Sequence, residues 1–254
     1  MQTDSSRGKS NSPRDRGTVR RLDGRNTGSG TVYSRKARQR ETTTTQPSDR
    51  TAIGIDLGEH NLYTACPVSV TNPTDAYTVR GTALCTCLDE LRAQTARLLG
   101  SEYDRDTIAA YVQQRRDELV TDIDAAARDI CEYALTCKDP ILVTEDTHFE
   151  PDLWLWLTAP TAHCGSSWLL AAAHLRLRTI AAEYTLEVRT VPEAYSSQEC
   201  HACGVLGNRH PNETFWCSNV DCRIDHIDAD FNAAKVLAQR YYAGKRCARR
   251  SPRS

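Results

Sequence analysis

Residues 195–234 have the sequence YSSQECHACGVLGNRHPNETFWCSNVDCRIDHIDADFNAA, in which two cysteine pairs, Cys200/Cys203 and Cys217/Cys222, precede a run of aspartates. Four thiolates in two close pairs suit a tetrahedral zinc ion, because each pair supplies one edge of the tetrahedron. A closed site of four sulfur ligands leaves no position for a substrate, so its role is structural. The spacing therefore predicts a zinc ribbon.

A redox CxxC motif or two chance pairs are the alternatives for these cysteines. A redox motif would be expected beside a βαβ pattern, whereas Cys200 and Cys203 precede a polar, turn-rich loop that contains Gly204, Gly207 and Pro211. The composition of this loop favours the zinc ribbon.

Directly after the ribbon, Asp230 precedes an apolar helical repeat that includes Phe231, Ala234 and Leu237. An aspartate in this position is typical of a helix N-cap, whose carboxylate accepts a hydrogen bond from the first turn of the helix. A catalytic role for Asp230 is the other interpretation, and it depends on acidic residues found far upstream.

Charge is distributed in three zones along the 254 residues. Residues 1–50 hold 12 Lys/Arg and 5 Asp/Glu, residues 51–234 hold 13 and 28, and residues 235–254 hold 7 and none. Basic arms thus flank an acidic body, and such arms can contact phosphates. We expect residues 1–50 to form a basic, largely disordered arm and residues 243–254 a basic tail. Disordered tails without a ligand are the simpler alternative.

Composition and cysteine usage limit the class of protein. The 39% hydrophobic content is enough for one sizeable core. Seven of the 11 cysteines lie outside the two pairs and show no spacing typical of a disulfide framework. No secretory signal sequence is recognisable, and no apolar run approaches the ~18 residues that a membrane span needs. We therefore expect a cytoplasmic protein with reduced thiols and no membrane partner.

The body of the chain alternates between strand and helix patterns. Strands are predicted at 51–56, 61–68, 76–80, 141–144 and 184–191, and helices at 84–99, 106–137, from Ser166 or Ser167 to 182, and after Asp230. The apolar segment from Pro151 to Pro160 is predicted to be loop-like, with Trp154 and Trp156 packing rather than stacking on bases. This order of elements is that of an RNase H-like fold, an α/β class with a mixed sheet flanked by helices.

Carboxylates follow two of the predicted strands. Asp56 ends the first strand, and Glu145 follows the apolar strand at 141–144. A carboxylate at the end of an apolar central strand is costly to bury unless a cation meets it, although Asp56 as a turn residue of the hairpin is the alternative. In an RNase H-like fold, Asp56, Glu145 and Asp230 would converge on one edge of the sheet.

Three carboxylates in one place repel each other unless divalent cations lie between them. Hard oxygen ligands select magnesium or manganese. Two such ions can activate a water molecule and stabilise the leaving oxygen during phosphodiester cleavage.

Four motifs, in this order along the chain, carry a family resemblance. They are GIDLG at Gly54–Gly58, Glu145-Asp146 after ILVT, YSSQECHACG at Tyr195–Gly204, and ADFNAA at Ala229–Ala234. Residues 51–242 resemble the split RuvC nuclease and inserted zinc ribbon of the TnpB (OrfB) proteins encoded by insertion sequences, which are relatives of the compact type V CRISPR effectors. The combination is far more specific than any one motif.

The resemblance implies a set of site residues and partners. It implies a RuvC-like domain split between residues 51–195 and 223–242, with the ribbon at 196–222. It also implies that Asp56, Glu145 and Asp230 bind magnesium or manganese as a catalytic triad, with Asp228 as a candidate helper. The same resemblance makes Cys200, Cys203, Cys217 and Cys222 the zinc ligands. In that family an RNA guides the cleavage of target DNA, so DNA is the expected partner and a guide RNA a second candidate.

The sequence departs from the family pattern in two places. Family members carry a long N-terminal half that holds the guide RNA, where this chain has only residues 1–50, so we expect the chain to lack most of that half. Thr147 replaces the leucine that usually follows Glu145-Asp146. Two functions from different classes are open: a transposon-associated, magnesium-dependent DNA endonuclease, and an inactive remnant that only binds nucleic acid. A stand-alone RuvC-type junction resolvase is a third candidate, against which the inserted ribbon argues.

Overall fold

A computed structural model of the chain describes residues 50–146, 153–158, 167–192 and 194–248. The main sheet has the strand order β3-β2-β1-β4-β5. β1 pairs antiparallel with β2, and β2 with β3, whereas β4 runs parallel to both β1 and β5. This mixed order is that of an RNase H-like sheet, so the predicted fold class is confirmed. The five strands are β1 (Thr51–Asp56), β2 (Asn61–Pro67), β3 (Tyr77–Arg80), β4 (Pro140–Glu145) and β5 (Glu187–Val191).

Helices cover both faces of this sheet. They are α1 (Thr82–Leu99), α2 (Arg105–Leu135), α3 (Leu153–Thr158), α4 (Ser167–Glu183) and α5 (Ala229–Ala248), with a short 3-10 turn at Pro73–Asp75. No helix in these described segments is both long and apolar enough to span a bilayer.

The two faces of β1 pack against different helices, because side chains alternate along a strand. Ile53 and Ile55 belong to the large core that includes residues of α1, α2 and α4. Ala52 lies on the opposite face with Leu237 of α5. At Gly54 a Cβ atom would lie 1.8 Å from the Ala234 carbonyl oxygen, so only glycine lets α5 approach β1 this closely. The alternation places Asp56 on the α5 face.

The segment predicted to be loop-like contains a short helix, α3. Leu153 and Leu157 lie one helical turn apart and are both buried in the large core. Their i, i+4 spacing forms the apolar stripe that the sequence analysis missed. Trp154 packs against the same core, as predicted.

A second, three-stranded sheet forms the ribbon. Its strands are β6 (Asn208–Arg209), β7 (Thr214–Trp216) and β8 (His226–Asp228), in that order and antiparallel. β8 continues directly into α5, so the ribbon and the last helix share one backbone connection. The predicted domain limits stay a prediction. Residues 1–49 of the predicted basic arm and 249–254 of the predicted basic tail lie outside the described residues, whereas 243–248 of that tail belong to α5.

Candidate functional site

The four ribbon cysteines form a compact cluster of sulfur atoms. Cys200 Sγ lies 3.8 Å from Cys222 Sγ, and Cys203 Sγ lies 3.6 Å from Cys217 Sγ. Tetrahedral zinc with Zn–S bonds of about 2.3 Å separates its sulfur ligands by about 3.8 Å, so the cysteines fit this ion. Across the described segments, they are the only group of three or more His, Cys, Asp or Glu residues found with all ligand atoms within 4.8 Å.

Local turns hold the sulfur atoms in this arrangement. The Asn219 N–H donates to Cys217 Sγ at 3.4 Å, and the Ile224 N–H donates to Cys222 Sγ at the same distance. The N–H of Val205 likewise helps to lower the pKa of the Cys203 thiol to about 7. Such donors favour the thiolate, which is the form that binds metal, although burial and the neighbouring thiols raise the pKa of the Cys217 thiol to about 12.

Side chains from α5 attach the ribbon to the main domain. Buried Asn232 accepts a hydrogen bond from the His201 N–H at 3.0 Å and donates to the Glu199 carbonyl at 2.7 Å. Gln239 donates to the His201 carbonyl at 3.0 Å, and Arg240 pairs with the Glu199 carboxylate at 2.8 Å. The backbone on both sides of Cys200 is therefore fixed to the helix that begins at the acidic residues.

The three predicted catalytic acids lie at the ends of neighbouring elements. Asp56 ends β1, Glu145 ends the parallel neighbour β4, and Asp230 is the second residue of α5. Burial raises the pKa of the Asp56 carboxyl well above its usual range, and the charges of Asp230 and Glu145 raise it further. Asp56 and Asp230 are only 8% and 2% exposed. The structure thus places Asp230 and Glu145 near enough to Asp56 for their charges to act on its carboxyl group.

Other side chains of the fold hold these carboxylates. Asp230 accepts a hydrogen bond from Asn61 Nδ2 at 2.8 Å and forms an ion pair with Arg209 Nη2 at 2.6 Å. Ser196 Oγ donates to Glu145 Oε1. The positive charge next to Asp230 is therefore an arginine of the ribbon.

The N-cap of α5 is Asp228 rather than Asp230. Asp228 Oδ1 accepts a hydrogen bond from the Phe231 N–H at 2.7 Å, the N-cap to N3 pattern. The interpretation of Asp230 as a helix cap is therefore wrong, because both of its oxygens bind side chains from β2 and from the ribbon. Asp228 also adds to the negative charge around Asp56.

Sequence reasoning missed Asn61, Arg209, Ser196 and Asn232. Arg209 carried the clearest signal, since it is the only Lys or Arg between residues 196 and 222. Asn61 stands where an apolar strand begins, which is an uncommon place for a buried amide. The partners of the other two residues lie far away in sequence and are set by the fold.

Comparison with known proteins gives one family match and several structural ones. The family model described as "Cas12f1-like, TNB domain" matches residues 174–237, which contain the four cysteines and Asp230. No curated protein sequence matches the chain.

Two solved structures resemble the chain in fold. One is described as "Cryo-EM structure of the Cas12f1-sgRNA-target DNA complex" and the other as "Cryo-EM structure of CRISPR-Cas12f Ternary Complex". Each has a TM-score of 0.55 and 17% identity over 76% of this chain. The matched region covers 50% of the first protein and 39% of the second, so the chain spans half or less of the length of these proteins. At 17% identity these likenesses show the fold, a mixed α/β sheet flanked by helices, and no more than that.

Proposed function

We propose that this chain is a TnpB-like, transposon-associated endonuclease that cleaves DNA phosphodiester bonds with two divalent cations. The observation that carries the proposal is the electrostatic coupling of Asp56 to Asp230 and Glu145 at one edge of an RNase H-like sheet. Like charges at a buried site are costly, and a site that keeps two buried acids and a half-buried third is typical of cation binding.

The residues present fit magnesium or manganese by their donor chemistry. Asp56, Glu145 and Asp230 offer hard carboxylate oxygens, which these ions prefer. Bound ions of this kind supply an activated water and stabilise the leaving oxygen. The chain's own contribution is to orient the carboxylates. Asn61 fixes Asp230, and the close packing of β1 on α5 at Gly54 positions Asp56 relative to Asp230.

Zinc and nucleic-acid partners complete the proposal. Cys200, Cys203, Cys217 and Cys222 hold a structural zinc ion that keeps Arg209 next to the acidic residues. DNA is the proposed substrate, and a guide RNA is a proposed partner, because the two solved complexes of similar fold are described as guided or ternary assemblies. The proposed compartment is the cytoplasm.

A second function is favoured by one observation. The ion pair between Arg209 and Asp230 already neutralises one of the three acids. A zinc-containing nucleic-acid-binding protein with inert acids would tolerate this pair permanently, whereas a nuclease must release Asp230 to its cations.

Cleavage assays with the purified chain distinguish the two functions. The chain is incubated with labelled single- or double-stranded DNA and magnesium or manganese, with and without RNA transcribed from the DNA that flanks its gene. Cleavage that is lost in Asp56→Ala supports the nuclease. Binding that weakens with salt, with no cleavage under any condition, supports the binding protein instead.

A further inference from the structure

Asn61 carries a buried oxygen atom with no hydrogen-bond partner. The residue is only 8% exposed and begins β2, directly after the hairpin that follows Asp56. Its Nδ2 donates to Asp230 Oδ2 at 2.8 Å, while its Oδ1 is fully buried and accepts no hydrogen bond. Buried amide oxygens are nearly always paired, so an unpaired one beside buried carboxylates points to a ligand.

The orientation of this amide follows from its partner. Nδ2 donates to Asp230 Oδ2, so the NH2 group faces this carboxylate and Oδ1 is the other polar atom of the amide. Oδ1 is bonded to the same carbon as Nδ2, so this buried oxygen lies close to Asp230.

A backbone irregularity turns Asn61 toward this site. The pairing of β2 with β3 shifts register between Asn61 and Tyr63, and such shifts re-aim side chains. Leu62 and Tyr63 both pack in the large core on the far face of the sheet, whereas Asn61 contacts α5. The irregularity thus lets the Asn61 side chain face α5 while the next two side chains, Leu62 and Tyr63, face the large core.

We propose that Asn61 Oδ1 is a further ligand for a hard divalent cation, magnesium or manganese, at the acidic site. The proposal rests on the proposed function, because it assumes that Asp56 and Asp230 bind such a cation. A neutral amide oxygen suits this position, since it adds a ligand without adding a negative charge to the buried carboxylates. The hydrogen bond from Nδ2 to Asp230 fixes both ligands with one side chain.

The competing explanation is that Asn61 serves only as a hydrogen-bond donor to Asp230. Two variants separate these roles. Asn61→Leu removes the donor and the oxygen, whereas Asn61→Asp removes the donor and keeps the oxygen. Thr95→Val is the matched control, because the Thr95 hydroxyl on α1 is another buried oxygen without a hydrogen-bond partner and lies in the part of the chain that packs on the opposite face.

The experiment measures Mn²⁺ binding to the full chain by electron paramagnetic resonance, with Asp230→Asn defining the site. We expect Asn61→Leu to weaken Mn²⁺ binding by about 10- to 100-fold. Asn61→Asp should bind as well as wild type, to within about threefold, or more tightly because it adds charge. Thr95→Val should bind as wild type does. Thermal unfolding with and without Mn²⁺ gives a second readout, in which the stabilisation by Mn²⁺ shrinks in Asn61→Leu and persists in Asn61→Asp.

The outcomes separate this inference from the proposed function. Mn²⁺ binding that depends on Asp230 but is unchanged in Asn61→Leu overturns the inference alone. Mn²⁺ binding that is weakened equally in Asn61→Leu and Asn61→Asp also overturns it, because loss of the hydrogen-bond donor then explains the whole effect. No Asp230-dependent Mn²⁺ binding in wild type overturns both. Should Asn61→Leu not fold, the comparison of Asn61→Asp with Asp230→Asn decides: retained binding supports the inference, and lost binding overturns it.

Discussion

The four-cysteine ribbon and the acidic site meet at the start of α5, but they are built in different ways. The ribbon takes its four sulfur ligands from residues 200–222, and neighbouring backbone N–H groups fix them. The acidic site takes its carboxylates from β1, β4 and α5, which are far apart in sequence. The ribbon geometry is therefore a local property of the chain, whereas the acidic site exists only when the whole sheet is formed.

The two regions also differ in the sign of their electrostatic contribution. Thiolates gathered around the proposed zinc ion would stabilise the fold through the metal, whereas crowded carboxylates oppose folding. Arg209 joins the two regions, because it lies on β6 of the ribbon and pairs with Asp230. The ribbon thus supplies the counter-charge that the acidic site needs.

Loss of zinc should have the largest effect of any change. Apparent zinc-binding free energies of structural sites are about 10–16 kcal/mol, so Cys217→Ser or chelation should unfold β6–β8. Hydrogen exchange should show lost amide protection in the ribbon and retained protection in β1 and β4. Cys87→Ser, in α1, is the control and should keep one zinc per chain. Retained ribbon protection in Cys217→Ser would mean that the ribbon does not depend on its metal.

Gly54→Ala should be the next most damaging change and should affect the other region. The added Cβ would lie 1.8 Å from the Ala234 carbonyl oxygen and 2.7 Å from the Ala238 nitrogen, so β1 and α5 must separate. We expect a loss of about 3 kcal/mol in the free energy of unfolding, at the upper end of the usual cost of overpacking, with zinc content unchanged.

Gly100→Ala is the matched control for this overpacking. Its Cβ would lie 3.6 Å from the nearest carbonyl oxygen, an ordinary contact, so urea denaturation should show little change. Equal stability of Gly54→Ala and wild type would mean that β1 does not need its close contact with α5.

The ribbon can be predicted from the sequence more completely than the acidic site can, and the reason is physical. Cysteine spacing encodes the ribbon because ligand geometry is set within a few residues, and the alternation around Asp56 encodes a strand. Hydrogen bonds between distant elements have no such local pattern, so the Asn61 and Arg209 contacts to Asp230 emerged only from the fold. The sequence left the N-cap interpretation of Asp230 open because Asp228 and Asp230 have the same local chemistry, and only the backbone start of the helix separates them.

Arg209→Gln tests the connection between the two regions. Removing the guanidinium leaves Asp230, which is 2% exposed, without its counter-charge. In chelating buffer we expect a loss of about 2 kcal/mol, discounted because Arg209 itself is partly exposed, and added magnesium should restore part of it. Thermal unfolding measures both. Arg189→Gln, which removes a more exposed ion pair with Glu187, is the control and should change little.

If Arg209→Gln were as stable as wild type, and magnesium did not stabilise it further, the two regions would be energetically independent. The ribbon would then be a scaffold whose position next to the acids has no electrostatic consequence.

Asp56→Asn should have the smallest effect on stability, and it should stabilise the protein, whereas the three changes above destabilise it. The pKa of the Asp56 carboxyl is raised in the folded protein, so the folded state holds this proton more tightly than the unfolded state does. Its contribution to stability is complete below the unfolded pKa of about 4 and is lost as pH rises through the folded pKa. At pH 7 in chelating buffer, Asp56→Asn should therefore be more stable than wild type by about 1 kcal/mol, while losing cleavage.

Asp104→Asn provides a control of opposite sign. Hydrogen bonds from the Thr107 backbone N–H and hydroxyl lower the pKa of the Asp104 carboxyl, so its contribution to stability is lost as pH falls. Urea denaturation should then be measured from pH 4 to 8. One part of the wild-type free energy of unfolding should decrease as pH rises, and this decrease should be absent in Asp56→Asn and present in Asp104→Asn. An Asp56→Asn chain less stable than wild type at pH 7 would mean that the buried carboxylates are not in conflict. The acidic site would then resemble the ribbon in being held by its own contacts, and the cost of crowding would no longer support cation binding.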